Sequence, residues 1–109
     1  MNERTLEFEV NKQRIRKKKT CDFSGLVPGS VNYLRAKFYF SEEWNSCIKI
    51  VTFESEENQG VSVPVKLDEN DSCIIPDVIS KTQRFTVFVL GGTTDYRIST
   101  GTTKVKQGR

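Results

Sequence analysis

The sequence predicts one all-β domain, an immunoglobulin-like β-sandwich of about seven antiparallel strands, and three observations indicate it. Apolar residues recur with a period of two along most of the chain, which is typical of half-buried strands. Clusters of Gly, Pro, Asn, Asp and Ser separate these runs, as turns do. A length of 109 residues suits a single hydrophobic core. A jelly roll or a small barrel is the alternative architecture.

The first 20 residues are predicted to form a basic strand or arm, with the sandwich proper over residues 21–109. Apolar and acidic residues alternate over Leu6–Val10, which predicts a strand. After a turn at Asn11-Lys12, residues 13–18 return as a polar edge strand or a solvated arm. Because the segment has many charges and few apolar groups, we expect it to pack weakly by itself.

The central elements follow from the strongest alternation in the chain. Val31–Phe40 has one plainly apolar face, and the β-branched stretch 47–53 is its predicted antiparallel partner. Residues 61–67 alternate strictly, and Pro64 favours an edge position there.

The closing elements are a short helical turn and two further strands. Residues 76–81 are predicted to hold one turn of helix, and Arg84–Leu90, which is apolar on both faces, to be a central strand. Gly91-Gly92 is interpreted as the following turn. Residues 96–100 give a last strand, with an extension to residue 105 as the alternative, and residues 106–109 a frayed basic tail.

The composition argues against an enzyme and predicts no cofactor. The chain has no histidine, so it lacks the usual near-neutral base and the commonest nitrogen ligand for metals. Its three cysteines, Cys21, Cys47 and Cys73, form no CxxC pair, and no metal site is predicted. Without a visible signal peptide we expect reduced thiols, with Cys47 and Cys73 as small core residues. A disulfide in an exported particle is the alternative.

Charge is concentrated at the N-terminus. The net charge is +3, yet the first 20 residues hold seven basic and three acidic residues. No apolar run approaches the roughly 20 residues that cross a bilayer, so no membrane contact is predicted. The candidate partner-binding residues are basic or aromatic: Arg14, Arg16, Lys17, Lys18, Lys19, Tyr33, Arg35, Lys37, Tyr39 and Trp44.

These residues have competing interpretations. The basic run could bind single-stranded nucleic acid, with the tyrosines as stacking platforms. It could equally be a charged edge that discourages aggregation, which the modest net charge favours. Trp44 could anchor an interface, but a lid over the core is the favoured interpretation.

Several strings of residues together resemble a known group of domains. They are Tyr33-Leu34-Arg35-Ala36-Lys37-Phe38 followed by Trp44, Cys73-Ile74-Ile75-Pro76 with Val78 nearby, and Phe85–Gly92 followed by Tyr96–Thr100. Over residues 31–105 the chain is similar to small tail-associated domains of phages of Gram-positive bacteria. The resemblance implies an immunoglobulin-like sandwich with structural or adhesive work and no catalysis.

We therefore expect a non-enzymatic virion module, associated with a tail, baseplate or capsid and made in the bacterial host cytoplasm. Its expected partners are other virion proteins or further copies of itself, as a homo-oligomer. One alternative is a small phage-encoded inhibitor that binds a host protein. Another is a single-strand nucleic-acid-binding β-barrel that uses the basic N-terminal segment.

Overall fold

Two β-sheets pack against each other across one apolar core, which confirms the predicted β-sandwich. The computed structural model describes residues 3–57 and 60–108. Its strands, in chain order, are β1 Arg4–Asn11, β2 Arg14–Lys17, β3 Leu34–Phe40, β4 Ile48–Ser55, β5 Ser62–Lys66, β6 Ser72–Ile74, β7 Arg84–Gly92, β8 Arg97–Ser99 and β9 Thr103–Lys106. A 3₁₀ turn, Glu42–Trp44, precedes β4, and the helical turn α1, Asp77–Ser80, follows β6 as predicted.

The first sheet has the order β2-β1-β3-β6 and contains a parallel pair, which differs from the expected antiparallel arrangement. β1 and β2 form the predicted hairpin, but β1 runs parallel to β3 from Arg4 beside Leu34 to Val10 beside Phe40. Parallel neighbours need a long connection. The hairpin return and the long loop over residues 18–33 supply it, because they bring the chain back to the end of the sheet where β1 begins.

The N-terminal segment is an integral part of this sheet, so the expected division of the chain at residue 20 does not describe the fold. β1 lies between β2 and β3, and Leu6, Phe8 and Val10 are buried in the core. The ring of Phe8 stacks on that of Phe38 at 5.1 Å between centroids. Ile15 of β2 is buried as well. Three alternating apolar side chains are enough to anchor a strand, although the charges around them suggested an arm.

The second sheet has the order β5-β4-β7-β8, and β9 also pairs with β7. β7 is central, as predicted, and β5, which contains Pro64, is an edge strand. The inward side chains of β4 and β7 are fully buried, namely Val51, Phe53, Phe85, Val87 and Val89. They face the inward residues of the first sheet in a single cluster.

Gly91 and Gly92 are not the predicted turn. They are the last residues of β7 and pair with Lys49 and Ile48 of β4. The chain reverses over Thr93–Tyr96 instead, where the Thr93 amide donates to the Tyr96 carbonyl at 2.9 Å. The glycine at 91 meets a packing requirement, because the ring of Trp44 occupies the space that a side chain would need.

The predicted C-terminal tail is also ordered into the sandwich over its described part, which ends at residue 108. Lys106 ends β9, and Gln107 is completely buried. The Nε2 group of Gln107 donates to the carbonyls of Ser80 and Thr82, both at 2.8 Å. The side-chain amide thereby ties the residue after β9 to the last residue of α1 and to the segment that follows it.

Candidate protein-binding surfaces

Most of the sequence-predicted site residues lie on the outer face of the first sheet. Strand pairing puts Arg16 of β2 beside Glu9 of β1, and Glu9 beside Tyr39 of β3, all pointing away from the core. The other predicted residues on this face are Arg14, Lys18, Arg35 and Lys37. This surface is called the basic face below.

Carboxylates pair with two cations of the basic face, Arg16 and Arg35. Arg16 pairs with Glu9 at 2.9 Å. Arg35 lies 3.2 Å from Glu3 and 3.6 Å from Asp68. Solvent-exposed pairs of this kind contribute little to stability, but they lower the positive potential that a polyanion would meet. This surface has the mixed charge typical of a solvated sheet.

The aromatic side chain of Tyr39 is engaged in the same network. Its hydroxyl donates to Glu7 Oε2 at 2.6 Å, and this hydrogen bond raises the pKa of Tyr39. The ammonium groups of Lys18 and Lys37 lie over the ring, 5.1 and 5.3 Å from its centroid. A base stacking on this ring would compete with the two cation–π contacts.

The remaining candidates of the basic run do not converge with this face. Lys17 points to the other side of β2, where its ammonium group covers the ring of Phe23 at 5.5 Å. Lys19 is exposed in the loop after β2, and Tyr33 is exposed just before β3. Among the described residues, neither Arg14 nor Lys19 has an ion-pair partner.

Trp44 is part of the core, so the interpretation as an interface anchor is wrong and the favoured one, a lid, is confirmed. Its side chain is fully buried. The indole Nε1 donates to the Lys12 carbonyl at 2.8 Å, and the ring contacts that of Phe40 at 5.1 Å between centroids. It closes one end of the sandwich beneath the β1–β2 hairpin.

Sequence reasoning missed an exposed apolar surface on the outer side of the second sheet. Ile48 and Ile50 of β4, Leu90 of β7 and Tyr96 of the 93–96 turn are exposed to 62%, 37%, 44% and 44%. Ile50 and Leu90 are cross-strand neighbours, and all four side chains line one shallow groove. These four residues are called the apolar face below.

A signal for this surface was present in the sequence. Residues 84–90 are apolar on both faces, and a strand of this kind is predicted to be covered by other parts of the structure on both faces. The described chain covers only the inner side, where Phe85 and Val87 are fully buried. On the outer side Phe88 is half-buried and Leu90 is exposed. The outer side of β7 is therefore apolar and only partly covered by the described residues.

The 93–96 turn forms a firm wall of the groove. Thr93 Oγ1 accepts hydrogen bonds from the amides of Asp95 and Tyr96 at 3.0 and 3.2 Å. The Tyr96 hydroxyl donates to the Glu43 carbonyl, which ties the turn to the 3₁₀ segment. Contact between this hydroxyl and the thiol of Cys47, at 3.8 Å, raises the pKa of Tyr96. The ring is thus held in place with one side facing the groove.

The three cysteines lie in different environments. Cys73 is buried in the core as predicted, and burial raises the pKa of its thiol to about 12. Cys47 is half-buried at the surface instead of in the core. Cys21 is also half-buried, and its sulfur accepts from the Glu7 amide at 3.3 Å. All three are free thiols.

The described part of the chain comprises residues 3–57 and 60–108. No group of three or more Cys, Asp or Glu side chains there is arranged to hold a metal ion. None of the helical segments in this part of the chain has the length and apolar character of a membrane span. Comparisons with family models, with curated proteins and with solved structures find no match to the chain.

Proposed function

We propose that this protein is a non-enzymatic structural module of a phage virion that works through protein–protein contacts. The observation that carries the proposal is the apolar face: Ile48, Ile50 and Leu90 are exposed together on a hydrogen-bonded sheet, and Tyr96 is exposed on the adjoining turn. Contiguous apolar surface of this kind marks interaction sites in soluble proteins. Tyrosine and aliphatic side chains on a rigid element give a partner contact area at little entropic cost. The assignment to a virion rests on the sequence resemblance.

The basic face is the weaker candidate for the main contact. Arg16 is paired with Glu9 and Arg35 with Glu3. The central tyrosine, Tyr39, donates a hydrogen bond to Glu7. A partner would have to replace these contacts before gaining its own. The side chains of Ile48 and Leu90 on the apolar face make no ion pair or hydrogen bond that a partner would have to replace. Burying them removes apolar surface from water, which favours binding.

Affinity capture from prophage-induced bacteria tests the proposal. Tagged wild type is compared with Leu90→Asp, which puts a charge in the apolar face, and with Val27→Asp. Val27 is a matched control because it is 68% exposed and lies in the 18–33 loop, outside both sheets. We expect tail, baseplate or capsid proteins with wild type and Val27→Asp, and their loss with Leu90→Asp. All three proteins are first checked for the same circular dichroism spectrum.

Other outcomes would replace the proposal. Recovery of a host enzyme or defence protein, lost in Leu90→Asp, would make the chain an inhibitor of that host protein. Virion proteins that are captured equally well by all three variants would move the binding surface away from the apolar face. Single-strand nucleic-acid binding predicts a steep loss of affinity with salt, measurable by fluorescence anisotropy with a labelled oligonucleotide.

A further inference from the structure

The apolar face has a projecting side chain and an open hollow in the same row of the sheet. Ile48 of β4 is the most exposed residue of this face, and it lies beside Gly92 of β7 in the strand ladder. Gly92 has no side chain, and the nearest atoms to a Cβ built there would be 3.8 Å away. In the next row Ile50 of β4 lies beside Leu90 of β7, and both are exposed. Each row therefore has one half on β4 and the other half on β7.

The hollow above Gly92 is closed on the side away from β4. Arg97 of β8 pairs with Gly92, so its side chain points to the same outer side of the sheet. The Cγ atom of Arg97 is one of the two atoms that would lie 3.8 Å from the added Cβ. Tyr96 lines the same groove, and its hydroxyl is anchored on the Glu43 carbonyl. The walls are thus an aliphatic stem and an aromatic side chain, which suit an apolar side chain.

The margin of the apolar face next to β5 has charges of both signs. Asp68 and Asp71, in the loop that follows β5, are engaged in ion pairs at 3.6 and 3.0 Å. Glu69 of this loop and Lys66 of β5 are exposed and line a shallow depression together with Ile48. Within residues 3–57 and 60–108 neither Glu69 nor Lys66 has an ion-pair partner. This margin therefore has one free carboxylate and one free cation.

The opposite margin, next to β8, has the same mixture. Asp95 and Arg97 are both exposed and both line the groove. Across the described residues neither has an ion-pair partner. Neither sign dominates at either margin, so charge does not repel a second copy of the same surface.

A two-fold axis parallel to the strands, midway between β4 and β7, matches these features. An axis in the plane of the interface places β4 of one copy over β7 of the other, row on row. Ile48 then faces the hollow above Gly92 of the second copy, and Ile50 faces its Leu90. Stacked sheets are usually rotated by about 30°, but contacts this close to the axis move by only about 2 Å. At the margins Arg97 faces the loop that contains Glu69.

We infer that the apolar face binds a second copy of this chain and forms a two-fold dimer. The inference rests on the proposed function and identifies the occupant of its binding surface. An isologous interface must contain its own complement, and this face has its projection and its hollow in one row. The outer side of β5, β4, β7 and β8 covers about 500 Å² in projection, near the small end of specific interfaces, so monomer and dimer exchange.

Sedimentation velocity of the full chain, from about 10 µM to about 1 mM, tests for the dimer. We expect wild type to change from monomer to dimer over this range. Leu90→Asp should remain monomeric, because it puts a charge into both halves of the interface. Val27→Asp, in the exposed 18–33 loop, is the control and should dimerise like wild type. A wild type that stays monomeric up to about 1 mM would overturn the inference.

Filling the hollow tests the geometry. Gly92→Leu should weaken dimerisation about tenfold, because the new side chain occupies the space that Ile48 of the second copy would enter. Gly101→Leu is the matched control, at an exposed glycine between β8 and β9 where an added Cβ has no atom within 4 Å. Circular dichroism first checks that both variants keep the wild-type spectrum. Dimerisation of Gly92→Leu with wild-type affinity would contradict the proposed interface.

Charge reversal tests whether the partner is a second copy. Arg97→Glu and Glu69→Arg each place like charges in both halves of the dimer, so each variant alone should dimerise about tenfold more weakly. In an equimolar mixture the two variants present opposite charges to each other at both positions, and a heterodimer of about wild-type affinity should form. Native mass spectrometry with one variant ¹⁵N-labelled distinguishes the three dimers. Arg14→Glu mixed with Glu69→Arg is the control and should give no recovery. Absence of recovery with Arg97→Glu would overturn the two-fold arrangement.

Capture from prophage-induced cells separates the failure of this inference from that of the proposed function. A dimer presents two copies of every remaining surface, so loss of the dimer also lowers capture of a virion partner with repeated sites. If wild type is monomeric while Leu90→Asp abolishes capture of virion proteins, the inference fails and the proposed function stands. If wild type dimerises through Leu90 and captures no virion protein, the inference stands and the proposed function fails.

Discussion

The indole of Trp44 packs directly against the backbone of Gly91. A Cβ atom built on this glycine would lie 2.6 Å from Cζ3 and 2.8 Å from Cε3 of the ring. The ring cannot move away easily, because its Nε1 is bonded to the Lys12 carbonyl and its other contacts include Phe40. The glycine thus lets the tryptophan close one end of the sandwich while β7 continues beneath it.

Gly91→Ala should therefore destabilise the protein by about 1–3 kcal/mol, as overpacking of a rigid core does. Gly92→Ala is the matched control, since the nearest atoms to its added Cβ would be 3.8 Å away. We expect its effect to stay within about 0.5 kcal/mol. Urea unfolding, followed by both Trp44 fluorescence and circular dichroism, measures the difference. Equal stability of the two variants would contradict the close packing.

The position of β1 inside the first sheet predicts that the N-terminal segment is needed for folding. Phe8→Ala should cost about 3–5 kcal/mol, because the ring is fully buried and stacks on Phe38. Deleting residues 1–19 should abolish the cooperative unfolding transition altogether. Arg14→Ala, at an exposed position of β2, is the control and should be nearly neutral. A truncated chain that still unfolds cooperatively would restore the arm interpretation.

Periodicity predicted the sandwich well because it reports burial directly. The alternation in Val31–Phe40 and Arg84–Leu90 identified two strands whose inner faces form the core. Pro64 marked an edge strand for the same local reason, since proline cannot donate to a ladder. Strand positions and burial that follow from the local pattern of residues could therefore be predicted from the sequence.

Features that depend on distant packing were not accessible. Gly91 resembled a turn glycine because nothing local shows that Trp44 lies over it. Gln107 resembled a tail residue because its two acceptors are more than 20 residues earlier in the chain. The apolar face is defined by strand order, so Ile50 and Leu90 become neighbours only once β4 and β7 are paired.

Cys73 should be the least reactive thiol of the protein, because burial raises its pKa to about 12. A disulfide reagent at pH 8 should modify Cys21 and Cys47 first, since both are half-buried at the surface. Cys73 should react only after denaturation. Mass spectrometry of the modified peptides identifies the sites. Rapid native-state modification of Cys73 would contradict its burial.

The same pKa shift has a consequence for stability at alkaline pH. In the unfolded chain the Cys73 thiol ionises near its ordinary value of about 8.5. The folded state binds its proton up to about pH 12, so this contribution is fully present below pH 8.5 and is lost as the pH rises towards 12. Stability should fall less between pH 8.5 and 10 in Cys73→Ala than in wild type. Parallel slopes would exclude a contribution from this thiol.

Gln107 should contribute to stability although it is next to the end of the chain. Its amide supplies the donors for two buried carbonyls, those of Ser80 and Thr82. Gln107→Ala removes the donor of the Thr82 carbonyl and opens a cavity, whereas the Ser80 carbonyl keeps the Gly29 amide as a donor at 3.0 Å, so we expect a loss of about 1–3 kcal/mol. Lys106→Ala, one residue earlier and exposed, should change stability by less than about 0.5 kcal/mol. Thermal unfolding measures the stabilities of the two variants. Equal stabilities would contradict the buried position of Gln107 and support a frayed tail.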